Sequence, residues 1–184
     1  MKLVLIAPSG GGKGSLAEDI VRDFGVAHIS TGEMFRANID GKTKIGLEAA
    51  EYVSKGLWVP DELTTRMLQT RISQPDCKNG FILDGYPRTL PQARSLATLT
   101  DIDLAIDIAV SDEIVIERLL ARGRADDTRE IIQNRLDSFH KGIEPVREFY
   151  NAQGKLAKIF VEKDTSKADV YNAFLEILKR NENL

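Results

Sequence analysis

The chain has 184 residues, 42% of them hydrophobic and 29% charged, with a net charge of −3. That is enough chain and apolar surface for one domain with a sizeable core, and it argues against disorder. A duplex nucleic-acid binder would be more basic, one cysteine cannot make an internal disulfide or a cysteine zinc cluster, and no segment approaches the roughly 20 apolar residues of a membrane span. The opening apolar run, Leu3 to Ala7, is too short for a signal-peptide core and stops at Pro8, so a soluble, cytoplasmic protein is expected.

The run LVLIA at 3–7 predicts a buried strand. Leu16, Ala17, Ile20, Val21 and Phe24 then recur at helical spacing, with Gly25 placed as a C-terminal cap. Between strand and helix lies APSGGGKGS, residues 7–15. The usual phosphate loop reads Gly, four residues, Gly-Lys, then Ser or Thr. Here Ala7 stands at the first glycine and Gly14 follows Lys13, with the hydroxyl one position later at Ser15. Gly10, Gly11, Gly12 and Gly14 let the backbone bend tightly and aim its N–H groups inward, and the helix N-terminus adds positive potential. Lys13 is positioned to reach β- and γ-phosphates. A plain flexible turn would need neither the lysine nor the flanking strand and helix. Ala7 is tolerable there if its φ is below zero and strained by roughly 1–2 kcal/mol if it is left-handed.

VAHI at 26–29 reads as a second strand, with His28 as a structural residue. Ser30 and Glu33 fit a capping box, so a helix starts there with Thr31 in its first turn and Arg36 one turn on, a hydroxyl and a guanidinium suited to an anion. A capped helix with a solvated arginine is the plainer alternative. The region 31–60 is largely helical and long for a crossover, which suggests a small separate lobe. GFILD at 80–84 is a third strand ending in Asp84, a carboxylate that is costly there unless it is paired or holds a metal's water shell. Gly85 and Pro87 turn the chain, Arg88 follows, and Gln92 carries an amide that can both donate and accept, as reading an adenine edge requires. Alternating apolar residues from Ile102 to Val110 make a fourth strand and AKIFV at 157–161 a fifth, with helices at 112–122, 128–152 and 166–180. The GRADD turn puts Arg122, Arg124 and Arg135 around Asp126 and Asp127, where a mobile flap with phosphate-facing arginines fits. Strands alternating with helices predict an α/β fold with a parallel sheet covered on both faces, binding its ligand beyond the carboxyl ends of the strands.

The loop with Lys13, STGEMFR, GFILDGYPRTLPQA and GRADD with its later arginine occur in an order and spacing that resembles the adenylate kinases, over nearly the whole chain. The resemblance implies a three-layer P-loop kinase fold with a five-stranded parallel sheet, a single domain over 1–184, an AMP-binding lobe over 30–59 and a short lid over 121–131. It implies the reaction ATP + AMP ⇌ 2 ADP with Mg²⁺ and no structural zinc, in a monomer. Lys13 would bind ATP phosphates among the backbone N–H groups of Gly10 to Ser15, with Arg122 and, in the loop after strand five, Lys163 also on the ATP side. Thr31, Arg36, Arg88 and Gln92 would hold AMP, with the backbone at Val59 and Gly85 and with Trp58 beside them. Asp84 would act on Mg²⁺ through water rather than directly. Arg122, Arg124 and Arg135 would close on the phosphates, Arg124 and Arg135 also serving AMP, while Asp126 and Asp127 tie down the lid. The chain departs from the family at Ala7, usually Gly, at Ser9, usually Pro, at Ser15, usually Thr, and at Lys163, where small residues are common. Two other readings are a UMP/CMP kinase, which would generally have Ala at Thr31 and Asn at Gln92, and a nucleotide-binding regulatory protein with weakened catalysis.

Overall fold

The computed structural model describes residues 1–181. Five strands, β1 (Lys2–Ile6), β2 (Ala27–Ser30), β3 (Phe81–Asp84), β4 (Leu104–Val110) and β5 (Leu156–Val161), form one parallel sheet in the order β2-β3-β1-β4-β5. The helices are α1 (Lys13–Phe24), α2 (Thr31–Asp40), α3 (Lys44–Ser54), α4 (Asp61–Ile72), α5 (Leu90–Leu99), α6 (Asp112–Arg122), α7 (Arg129–Asn151) and α8 (Lys167–Arg180). The α/β class and the five parallel strands are as the sequence predicts.

The strands read as continuous apolar runs because both faces are covered. Leu3 and Leu5 of β1, Ile82 of β3 and Ile106 and Ile108 of β4 pack under Leu16, Ala17 and Ile20 of α1 and Phe174 of α8. The alternate residues Val4, Ile6, Phe81 and Leu83 point the other way, against Leu68 of α4, Leu96 of α5 and Phe139, Ile143 and Val146 of α7. Full burial of such side chains contributes about 1.5–3 kcal/mol each, so the two layers fix which way every strand faces.

That register matters for the site. Ser30 pairs with Asp84, and Asp84 pairs with Leu5, so β1, β2 and β3 end together at one edge. The loop after β1, the start of α2 and the turn after β3 therefore meet. The predicted capping box at Ser30 is half formed: Ser30 Oγ accepts the Glu33 N–H at 3.4 Å. The reciprocal box occurs instead at Ser166 and Asp169, which start α8. The segment from α2 to α4 has its own apolar cluster of Phe35, Ala49, Val59, Leu63 and Met67. No helix among the described residues is long and apolar enough to cross a membrane.

Candidate active site

The strand ends open into a cleft of about 470 Å³. Its walls include Gly10, Gly12, Lys13, Gly14 and Ser15 from the first loop; Thr31 and Arg36 from α2; Trp58 and Val59; Asp84, Gly85, Arg88 and Gln92; and Arg122, Arg124, Asp126 and Arg135. Residues far apart in sequence thus share one space, as the strand-end rule for parallel sheets requires.

The loop is shaped by its glycines and by one lysine. Gly12 caps α1 at φ 96°, a left-handed conformation that a residue with a Cβ adopts only under strain. The Gly11 N–H is turned onto the Pro8 carbonyl at 3.0 Å, so it braces the loop. Lys13 Nζ donates to the carbonyls of Ala7 (2.8 Å) and Pro8 (2.9 Å) and lies 3.7 Å from Asp84 Oδ1. Lys42 is the non-glycine residue with positive φ among the described residues, so Ala7 is free of left-handed strain. Its methyl faces Gly11, where an added Cβ would come within 2.7 Å of it.

Asp84 sits at the end of β3 with Lys13 on one side and His28 on the other, His28 Nε2 lying 3.4 Å from Asp84 Oδ2. Burial pushes this carboxyl up, but Lys13, His28 and Arg88 outweigh it and hold it below the usual carboxylate range. Burial likewise pulls Lys13 below the ordinary lysine value against the attraction of Asp84, with Arg88 and Arg122 adding to the fall. His28, read from the sequence as structural, is therefore a neighbour of the site. It lies two residues before Ser30 on the same strand face, diagonal to Asp84, and that spacing was the available signal.

Three arginines enter the cleft without a carboxylate partner. Arg88 donates its Nε–H to the Gly85 carbonyl at 2.8 Å and lies over the Trp58 ring at 5.7 Å. Burial lowers its pKa, with Asp84 opposing and Arg135 adding. Arg36 is lowered by burial and by the neighbouring charge of Arg124. Among the described residues, Arg36, Arg88 and Arg124 form no side-chain ion pair within 4.0 Å. The desolvated Arg36 and Arg88, with Arg124 crowding Arg36, are stabilised by a multiply charged anion.

Gly85 makes the turn that brings them together. It has φ 86°, and a Cβ there would meet Thr31 Oγ1 at 2.6 Å and Arg88 Nη2 at 2.9 Å. The Thr31 hydroxyl itself lies 3.0 Å from the Gly85 carbonyl.

The turn between α6 and α7 gathers the remaining charges. Asp127, whose carboxylate is fully covered, accepts Arg122 Nε (2.8 Å) and Nη2 (2.7 Å), the Arg124 backbone N–H (3.2 Å) and Arg135 Nη1 (3.2 Å). Burial pushes its carboxyl up, but the Arg122 contact outweighs that and lowers it. Asp126 pairs with the other arm of Arg135. Arg122 and Arg135 thus meet on one carboxylate, while Arg124 joins them only through its backbone N–H.

Three sequence-predicted residues lie off the main cleft. Gly11 and Asp127 support it from behind. Lys163 has an exposed side chain 3.5 Å from Glu117. An adjoining cavity of about 330 Å³ is lined by Gly10 to Gly12, Leu16, Arg118, Val161, Thr165, Ser166 and Val170, so the loop after β5 reaches it through residues on either side of Lys163. Sequence reasoning also missed Gly142 of α7, where a Cβ would come within 2.4 Å of the Trp58 ring; this close approach seats Trp58 beside Arg88.

Comparison with known proteins agrees with this geometry. The family model described as adenylate kinase matches residues 5–155. The adenylate kinase of Rhodococcus erythropolis is 46% identical over 155 residues, 82% of this chain and 86% of the relative. That of Mycolicibacterium paratuberculosis is 46% identical over 160 residues, 84% and 88% of the two chains. That of Mycolicibacterium smegmatis is 44% identical over 172 residues, 87% and 95%. The three-layer arrangement is accordingly a P-loop kinase fold, and the chain belongs to the adenylate kinase family.

Proposed function

We propose that the cleft carries out the family's reaction on ATP and AMP with the residues in the following roles. The observation that carries the reading is the convergence of unpartnered, desolvated arginines and Lys13 on one strand-end cleft beside a glycine loop. Lys13 and the N-terminus of α1 take the β- and γ-phosphates of ATP, and the adjoining cavity takes its adenosine. The segment 30–59 is the AMP lobe: Arg36 and Arg88 grip the AMP phosphate, while Thr31, Val59, Gly85 and Gln92 enclose its nucleoside. An oxygen of the AMP phosphate attacks the γ-phosphorus, the bond to the β-bridging oxygen breaks, and ADP leaves on each side. No general base is needed, because the attacking group is already an anion. Arg122, Arg124 and Arg135 neutralise charge on the moving phosphoryl group. The segment 121–131 is the lid that excludes water, and the hold of Asp126 and Asp127 on Arg122 and Arg135 sets its resting position.

The donor set suits a Mg²⁺ carried with the triphosphate. Asp84 and the Ser15 hydroxyl are hard oxygen donors on the cleft wall. Among the described residues no group of three or more His, Cys, Asp or Glu side chains is placed to hold a metal by itself. Asp84 would hold the ion through its water, and the ion would supply charge neutralisation to the triphosphate. A monomer in the cytoplasm is the form this reading takes, as is typical of the family.

Thr31 and Gln92 favour AMP over UMP or CMP, and the unstrained Ala7 favours a working loop over a weakened one. Initial rates with ATP, Mg²⁺ and AMP, UMP, CMP or GMP in turn test the reading. AMP should lead in kcat/KM by at least about 10²-fold. Fastest turnover with CMP would overturn the assignment to AMP, and ATP binding without any turnover would overturn the enzymatic reading.

A further inference from the structure

The side-chain amide of Gln92 is buried, at 2% exposure, yet it lines the cleft. Its Nε2 donates to Asp61 Oδ1 at 2.7 Å, and its Oε1 accepts the Arg88 backbone N–H at 2.7 Å. Asp61 is the first residue of α4, and its other oxygen, Oδ2, accepts the Thr89 hydroxyl at 2.7 Å. Thr89 Oγ1 in turn accepts the Gln92 backbone N–H at 3.3 Å as the cap of α5. Both oxygens of Asp61 are therefore committed, and the starts of α4 and α5 are tied together at the base of the cleft.

A carboxylate only accepts and a backbone N–H only donates. Turning the amide over would set Oε1 against Asp61 Oδ1 and the NH₂ group against the Arg88 N–H, two repulsive contacts in a buried place. The chemistry of the two neighbours thus dictates which end of the amide is which. A primary amide has two N–H bonds and two acceptor positions. With one of each in use, one N–H and one acceptor position remain for a ligand.

We propose that Asp61 is the specificity-determining positioning residue of the acceptor site: by fixing the orientation of the Gln92 amide it selects a 6-amino over a 6-oxo purine monophosphate. This rests on the reading of Gln92 as the group that meets the AMP base. Adenine sets a ring-nitrogen acceptor beside the donor N6 amino group, matching a locked N–H and Oε1. Hypoxanthine carries an acceptor oxygen at the 6-position and an N–H at ring nitrogen 1, the same two places with polarity reversed. A locked Oε1 then faces an oxygen, whereas an amide that no longer has to point its NH₂ at Asp61 can turn over and restore both hydrogen bonds to the base, giving up only the Arg88 N–H contact.

The test compares AMP and inosine monophosphate as acceptors, with ATP and Mg²⁺, in the parent, Asp61→Asn, Asp61→Ala and Gln92→Leu. Asp61→Asn should lower the AMP-to-inosine-monophosphate ratio of kcat/KM by at least about tenfold, with kcat/KM for inosine monophosphate rising in absolute terms. Asp61→Ala, which removes one of the two contacts that fix the amide and leaves only the Arg88 N–H, should move the ratio the same way and serves if the asparagine variant does not fold. A packing defect would depress both substrates alike. A ratio within twofold of the parent in folded Asp61 variants, with a collapsed ratio in Gln92→Leu, overturns the lock while Gln92 keeps its role. An unchanged ratio in Gln92→Leu overturns both the lock and the placement of the base.

Discussion

Arg88→Ala should lower kcat/KM for AMP by about 10³–10⁵-fold, the loss usual when an arginine on a transferring phosphoryl group is removed, or about 4–7 kcal/mol of transition-state stabilisation. The expectation rests on what holds Arg88 in place. One N–H goes to the Gly85 carbonyl, the plane lies over Trp58, and no carboxylate neutralises it. Its other N–H groups are held ready at the edge where β1 and β3 end. Burial and the nearby Arg135 make its charge costly until an anion arrives. Steady-state rates over a range of AMP concentrations measure the loss. A kcat/KM within tenfold of the parent contradicts the role.

Lys13→Met keeps the length and apolar stem of the side chain and removes the charge. It should cost about 10²–10³ in kcat, as deletion of one preorganised charge-stabilising donor does elsewhere. The same change strips Asp84 of the strongest influence that lowers its carboxyl, leaving His28 and Arg88. An under-compensated buried carboxylate then destabilises the fold, by about 1–3 kcal/mol. Rates at saturating ATP, together with thermal unfolding of the free protein, separate the two effects. A kcat within threefold of the parent would remove Lys13 from the phosphate site.

The strand, loop and helix around Lys13 were legible because the apolar period changes from a continuous run to helical spacing across a glycine cluster, and local sequence decides both. Asp84 was legible because a carboxylate at the end of an apolar strand is costly without a purpose. The strand limits shift by a residue or two, since backbone pairing and not hydrophobicity alone ends a strand. Arg122, Arg124 and Arg135 could be picked out together, but the meeting of Arg122 and Arg135 on Asp127 depends on how α6 and α7 pack. His28 was passed over because an isolated histidine in an apolar strand gives no hint of the diagonal neighbour that register supplies. Asp61 gives no signal in the sequence beyond that of an acidic residue at a helix start, where the helix dipole alone explains it. Its bonds to Thr89 and Gln92 join residues 28 and 31 positions apart and exist only once α4 and α5 are docked. Lys163 occupies the turn after β5 as the family comparison led one to expect, but its side chain runs outward to Glu117 while its neighbours reach the cavity.

The central claim is direct transfer from ATP to AMP inside a closed cleft, and following the γ-phosphorus of labelled ATP tests it most directly. Incubated with ATP, AMP and Mg²⁺, the protein should place the label in the β-position of ADP, with two ADP formed for each ATP consumed. Label appearing as inorganic phosphate, with AMP unconsumed, would contradict it.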